Sequence, residues 1–294
     1  RMQAQRQALS DDRWHYQHGP IDLMVRADGE KRAVQAAHEE AWQVFEGILP
    51  ALVSELPTLR QPVQVAQGNP LKGEVARRMW SACAPLVATT PDGFITPMAA
   101  VAGAVAQQVL QCYQRDGIAR AWVNNGGDIA LHLAQGESLH IGLVTDMARA
   151  LASSPLEELQ LDGQLRVHAD MPVRGVATSG WRGRSQSLGI AETVTVLAAT
   201  AAQADAAATL IGNAVNVNDA RIERCPADQI RDDTDLGERL VTLNVPTLDP
   251  GQILIALQQG RVYAERLRQQ GLIFAALLSC QGQFAFSGHE ACLI

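Results

Sequence analysis

The chain has 294 residues, of which 47% are hydrophobic, so it can bury a sizeable core as one large domain or two small ones. Its formal net charge is −7 without any block rich in Lys and Arg, which argues against nucleic-acid binding and against anionic membranes. No stretch approaches the roughly 18 uninterrupted apolar residues that span a bilayer. Residues 1–16 lack the apolar segment of a signal peptide, and Arg1 stands before Met2, so an earlier segment could be missing.

Five cysteines are scattered along the chain, without a CxxC pair or a zinc-like spacing: Cys83, Cys112, Cys225, Cys280 and Cys292. An odd number of isolated thiols is typical of a reducing compartment. We therefore expect a cytoplasmic protein whose cysteines are reduced.

The first half of the chain alternates strands and helices. In order, its hydrophobic pattern predicts a strand over 13–26 bent at Gly19-Pro20, a turn at 26–29, a helix over 30–59 broken by Pro50 and Pro57, a short helix over 70–80 and a short strand over 83–88. Thr96-Pro97 is the clearest helix start, since Thr is a natural N-cap and Pro suits the first helical position. The helix over 98–113 is rich in Ala and Gly, and a strand pair over 121–133 follows it.

The second half continues the alternation. It predicts strands over 139–144, around Leu165, over 174–180 and over 192–198, an Ala-rich helix over 200–217 capped by Thr200, an acidic connection over 226–239, a helix over 248–271 and a closing strand or hairpin over 272–286. No linker-like segment appears, so we expect a single domain over 1–294. Interspersed elements predict an α+β or α/β fold with mixed sheets and Ala-rich helices. The similar order at 83–131 and 192–217 is consistent with an internal structural duplication.

Asp205 and Thr209 lie four residues apart on one face of an otherwise Ala-rich helix. A carboxylate and a hydroxyl there are oxygen ligands that suit Mg²⁺, which takes one or two carboxylates and completes its shell with phosphate oxygens or water. The alternative is structural: Asp205 caps a neighbouring loop and Thr209 bonds to the preceding turn.

Two turns and a helix start could hold an anion. The paired glycines of Asn125-Gly126-Gly127-Asp128 permit close approach of a ligand to backbone N–H groups, although a plain hairpin turn explains them equally well. Thr178-Ser179-Gly180 and the following Arg182, Arg184, Ser185 and Ser187 combine hydroxyls and guanidinium groups, unless they form a solvated loop. Thr96 begins a helix whose N–H groups could bind an anion. Among seven histidines, His18 beside Gly19 is the candidate acid/base, and Arg184 and Ser185 complete the candidate catalytic set.

Three segments in order resemble the ApbE-like superfamily of FAD:protein FMN transferases: 123–129, 176–180 and 193–209. They match an Asn-x-Gly-Gly-Asp turn, a Thr-Ser-Gly turn and an Ala-Asp-Ala-x-x-Thr helix. The resemblance implies an ApbE-like, T-fold-related architecture of two related halves around a central site. It also implies that Asp205 and Thr209 match the family's magnesium ligands and that FMN passes from FAD to a Thr or Ser hydroxyl.

One segment departs from the transferase pattern. The transferases carry a His-x-Ile-Asp-Pro-like segment where this chain has residues 181–189, without the His and the Asp-Pro. Residues 96–103 and 183–185 further resemble an uncharacterised branch of the superfamily. Three functions stay open: magnesium-assisted flavin transfer, a hydrolase for a small anionic metabolite, and a non-catalytic flavin- or ligand-binding protein. The expected partners are a flavin nucleotide or other small anion, and a second copy in a homodimer.

Overall fold

A computed structural model describes residues 3–143, 163–183 and 185–288. Arg184 and part of the polar stretch over 151–169 lie outside these residues. The α-helices are α1 (Lys31–Ser54), α2 (Leu56–Leu59), α3 (Glu74–Cys83), α4 (Val101–Leu110), α5 (Ala201–Ala214) and α6 (Pro250–Gln269). The strands are β1 (Gln5–Ala8), β2 (Arg13–His18), β3 (Ile21–Gly29), β4 (Ile118–Asn125), β5 (Asp128–Leu133), β6 (Ser138–Leu143), β7 (Gly163–His168), β8 (Gly175–Ser179), β9 (Thr193–Ala198), β10 (Glu223–Pro226), β11 (Leu240–Asn244), β12 (Ala275–Cys280) and β13 (Gln283–Ser287).

The chain folds into two compact units. The first comprises Arg1–Leu139, His168–Ala177 and Ala198–Ala206, and the second comprises His140–Val167, Thr178–Leu197 and Ala207–Ile294. The boundaries between them include points within β8, at the end of β9 and within α5.

The first unit contains an antiparallel sheet whose strands lie in the order β1-β2-β3-β4-β5, with the start of β8 beside β5. Alternate residues of β3 are buried, so Leu23, Val25 and Ala27 point to the core while their neighbours are partly exposed. Val25 pairs with Val123 of β4, and Ile129 of β5 pairs with Val176 of β8. Helices α1 and α4 cover this sheet, and the small residues of α4 let it approach β4 and β5 closely.

The second unit contains the antiparallel strands β12 and β13, nearly all of β9, the small pair β10–β11 and most of the pair β6–β7. All six residues of β9 are buried, as expected for a β-branched strand covered on both faces. Helix α6 packs on β12 and β13. Gly260 makes this packing possible, because a Cβ there would lie 2.3 Å from a methyl of Val215 and 2.7 Å from one of Leu278.

Three local predictions are wrong, each because tertiary packing overrides a local signal. The predicted strand over 83–88 is a 3-10 helix, Ala84–Thr89, with Pro85 in its first turn and Leu86 buried. Pro50 does not break α1, which continues to Ser54 with Ile48 and Leu52 packed in the core. The predicted turn at 26–29 belongs to β3, since β4 pairs with it up to Gly29.

The α+β class is confirmed by the antiparallel sheets and the helices that cover them. The single domain and the internal duplication stay predictions. Within the described residues, no helix has the length and apolar character needed to cross a membrane.

Candidate functional site

The carboxylate of Asp205 lies at the N-terminus of α4, inside the first unit. Asp205 Oδ2 accepts a hydrogen bond of 2.8 Å from the backbone N–H of Gly103, and the N–H of Ala102 also donates to this carboxylate. These N–H groups belong to the first turn of α4 and have no acceptor within their own helix. An anion there is favoured further by the helix dipole. Asp205 therefore makes the capping contact that the structural interpretation predicts. Its role as a metal ligand stays a prediction.

The two helices approach so closely because position 103 carries no side chain. A Cβ on Gly103 would lie 2.2 Å from the carbonyl oxygen of Ala201 and 2.9 Å from Cβ of Asp205. Sequence reasoning missed Gly103 as a site residue, although the small residues of α4 were the available signal. Only the pairing of helices about one hundred residues apart in sequence reveals the contact.

Burial and hydrogen bonding act on Asp205 in opposite directions. Burial raises its pKa above the ordinary value, while the N–H groups of Gly103 and Ala102 lower it, and burial is the larger effect. Proton uptake by this carboxyl is therefore easier than by an exposed Asp.

The diglycine turn joins β4 to β5 and is fastened to the same first turn of α4. Asn125 Nδ2 donates to the carbonyl oxygen of Ala102 at 3.1 Å, and the backbone N–H of Gly127 donates to Asn124 Oδ1 at 2.8 Å. Gly126 and Gly127 have φ values of 66° and 110°, a region that favours glycine. The hairpin interpretation is thus confirmed, and the turn and Asp205 meet at α4.

Two further predicted residues of the first unit are buried. Asp128 is 9% exposed and pairs with Asn125 at the start of β5. Thr96 is 2% exposed, and its hydroxyl accepts from the N–H of Met98, so it caps a 3-10 turn, Pro97–Ala100, that leads into α4. The predicted capping role of Thr96 is confirmed, whereas its role in anion binding stays a prediction.

His18, the candidate acid/base, ends β2 and is 8% exposed. Its ring lies 6.3 Å from that of Phe45 in α1, centroid to centroid. The side chain is therefore part of the packing between sheet and helix, and its catalytic role stays a prediction.

The Thr178-Ser179-Gly180 turn lies in the second unit, at the end of β8. Thr178 Oγ1 is 3.1 Å from Thr195 Oγ1 of β9. A Cβ on Gly180 would lie 1.9 Å from the carbonyl oxygen of Glu192, so only glycine fits this corner. The neighbouring N–H of Trp181 donates to Ala191 O at 3.0 Å, which holds the corner against the chain before β9.

The loop over 181–189 is partly built into the second unit. Ser187 is 5% exposed, and its hydroxyl bonds to Asn213 Oδ1 at 3.4 Å and accepts from the N–H of Gly189 at 3.2 Å. These contacts attach the loop to the end of α5, so the Ser187 hydroxyl already has protein partners. Ser185 is exposed, and the guanidinium of Arg182 stacks 4.6 Å from the Trp181 ring.

The described residues contain no group of three or more His, Cys, Asp or Glu side chains that could hold a metal ion. The predicted cation ligands are Asp205 and Thr209, one turn apart along α5, and their metal role stays a prediction. Such a sparse set fits Mg²⁺ that arrives with phosphate ligands of its own, and it does not fit a site built from protein side chains alone.

The fold is that of the ApbE-like proteins. A solved structure of a mutant of the flavin transferase ApbE from Vibrio cholerae matches with a TM-score of 0.50 and 11% identity, over 95% of this chain and 97% of that chain. The family model described as AbpE bacteria matches residues 6–286. The chain belongs to this ApbE-like family, which confirms the resemblance seen in the three sequence segments.

Individual sequence relatives match parts of the chain as well. A UPF0280 protein of Methanopyrus kandleri is 31% identical over 255 residues, which cover 84% of this chain and 94% of that protein. A second UPF0280 protein, from Methanothrix thermoacetophila, is 39% identical over 132 residues, or 45% of this chain and 50% of that protein. The second alignment thus spans half of the relative.

Proposed function

We propose that this protein is an ApbE-like enzyme that binds a flavin nucleotide and transfers its FMN moiety with the help of Mg²⁺. The observation that carries the proposal is the convergence of Asp205 and the Asn125-Gly126-Gly127 turn on the first turn of α4. Two of the three segments that resemble the transferases thereby meet within one unit. Family membership and the flavin transferase fold add support.

The proposed roles follow from the chemistry of each group. Asp205 and Thr209 would contribute a carboxylate and a hydroxyl oxygen to Mg²⁺, and the pyrophosphate would supply further oxygens. When bound, the ion would neutralise the negative charge that develops on the phosphate oxygens. Gly126 and Gly127, which lack side chains, leave room for the nucleotide to approach the backbone.

The proposed reaction is a phosphoryl transfer. A Thr or Ser hydroxyl oxygen of an acceptor attacks the FMN-side phosphorus of FAD and forms a new P–O bond. The bond from that phosphorus to the bridging oxygen breaks, AMP leaves with the bridging oxygen, and the hydroxyl proton passes to water. Because no electrons are transferred, the flavin keeps its oxidation state.

The test is AMP release from FAD. The purified protein is incubated with FAD, with and without MgCl₂, in the presence of Thr- and Ser-containing acceptor proteins, and AMP is quantified by chromatography. We expect FAD binding by fluorescence quenching and AMP release only with Mg²⁺. Asp205→Asn should lower AMP release by about 100-fold or more, the usual scale for lost electrostatic stabilisation of a transition state. Asp22→Asn, a partly exposed Asp of β3 that pairs with His15 on β2, is the matched control and should keep full activity.

Each outcome separates the proposal from its alternatives. Release of AMP and free FMN without a flavinylated acceptor would show that the protein hydrolyses FAD and does not transfer FMN. FAD that stays bound without any AMP release would indicate a binding protein. If the protein neither binds FAD nor releases AMP, a flavin function for this chain is refuted.

A further inference from the structure

A single peptide group lies between Asn125 and Asp205. The carbonyl oxygen of Ala102 and the N–H of Gly103 belong to the same peptide bond. The carbonyl accepts from Asn125 Nδ2 at 3.1 Å, and the N–H donates to Asp205 Oδ2 at 2.8 Å. Because a peptide group is planar and rigid, a change in the direction of one bond changes the other.

We propose that Asn125 is a positioning residue that fixes the direction of the Asp205 carboxylate through the Ala102–Gly103 peptide group. Asn125 thus acts within the protein, through its side-chain amide, and not by contact with a ligand. This role of Asn125 rests on the proposed function, in which Asp205 is a ligand of the metal ion.

The surroundings of the peptide group leave it little freedom. Asn125 is 7% exposed, and its β4 backbone is held in register by pairing with Leu23 of β3 and Asp128 of β5. On the other side, Gly103 is pressed against the backbone of Ala201. The sheet therefore provides a fixed anchor, and the first turn of α4 is the part that Asn125 restrains.

The connection has a consequence for ligand binding. Asn125 directly precedes Gly126 and Gly127, so a nucleotide seated on the diglycine turn restricts rotation of the Asn125 side-chain amide, which orients the peptide group. A better-oriented carboxylate then binds a cation more tightly, and by thermodynamic linkage the cation strengthens nucleotide binding by the same factor. We expect FAD and the divalent ion to bind cooperatively, with Asn125 as the physical link.

The experiment compares two readouts in Asn125→Asp, Asn125→Ala and the wild type. Asn125→Asp keeps the shape of the side chain and removes its N–H donor, so it remains informative if Asn125→Ala folds poorly. The first readout is amide hydrogen exchange at Gly103 in the protein without ligand. The second is the affinity for Mn²⁺, measured by electron paramagnetic resonance with and without FAD. Asn69→Ala is the matched control, because Asn69 Nδ2 also donates to a helix carbonyl, Arg77 O, at 3.1 Å.

We expect Gly103 to exchange about fivefold to tenfold faster in both Asn125 variants, the effect of one lost hydrogen bond, and at the wild-type rate in Asn69→Ala. Mn²⁺ affinity should fall by about tenfold, a typical effect of losing a partner of a ligand residue, and the enhancement by FAD should disappear. Unchanged exchange at Gly103 in the Asn125 variants overturns the inference whatever the enzyme does. If Gly103 exchanges faster in the Asn125 variants but the wild type binds no Mn²⁺, the two results separate the proposals. The exchange supports the link from Asn125 to the Asp205 carboxylate, and the missing Mn²⁺ binding refutes the metal part of the proposed function.

Discussion

Replacing Gly103 with Ala tests the close packing of α4 on α5. In an unconstrained helix the change is favourable, by about 1 kcal/mol from helix propensity and about 0.8 kcal/mol from the buried methyl group. Here the new Cβ would lie 2.2 Å from the carbonyl oxygen of Ala201 and 2.6 Å from its carbonyl carbon. Ordinary contact needs about 3.5 Å, so a helix backbone has to move by more than about 1 Å.

Overpacking of this kind costs about 1–3 kcal/mol after relaxation, and more where backbone meets backbone. The shift also lengthens the hydrogen bond from the Gly103 N–H to Asp205, which leaves a partly buried carboxylate with a weaker donor. We therefore expect a net loss of about 2–4 kcal/mol in the free energy of unfolding, measured by urea titration of tryptophan fluorescence.

The matched control is Gly47→Ala in α1, an exposed helical glycine whose added Cβ would meet nothing within 4 Å. It should stabilise the protein by about 0.5–1 kcal/mol, through propensity alone. Wild-type or higher stability in Gly103→Ala would refute the packing argument, because the same substitution would then be harmless at both glycines.

Three further predictions concern stability. Burial lowers the pKa of His38 below its ordinary 6.5, and its Nδ1 shares a 2.7 Å hydrogen bond with the Tyr113 hydroxyl. The unfolded chain therefore binds the proton more readily than the folded protein. The stabilisation from neutral His38 should be complete above about pH 6.5 and fall as the pH drops below that value. Urea titrations from about pH 8 to 5 should show this slope, which His38→Gln should reduce; an equal slope in both proteins would contradict the assignment. Thr200→Ala should lower the free energy of unfolding by about 1 kcal/mol in the same assay, because the Thr200 hydroxyl accepts a hydrogen bond from the N–H of Gln203. An unchanged free energy of unfolding would mean that water replaces the cap. Gly180→Ala should destabilise more than Thr200→Ala, since its Cβ would overlap the carbonyl oxygen of Glu192, and a smaller effect would show that the corner can relax.

The amino-acid sequence by itself determined the features that depend on neighbouring residues. The Thr200 cap and the Thr96 cap follow from local hydrogen bonding, and the hairpin at residues 124–128 follows from the φ values that its glycines allow. The order of the three family segments also led to the ApbE-like fold, because each motif is short and contiguous.

Tertiary structure alone decided how these local pieces are used. The partner of Asp205 is the Gly103 N–H, which lies far away in sequence, and no periodicity could indicate that one helix end would meet the middle of another. Pro50 stays within α1, where Ile48 and Leu52 pack in the core, and the run after Cys83 becomes a 3-10 helix with Leu86 buried. Local patterns fix dihedral preferences, whereas burial and the pairing of distant backbone groups select among the structures that those preferences allow.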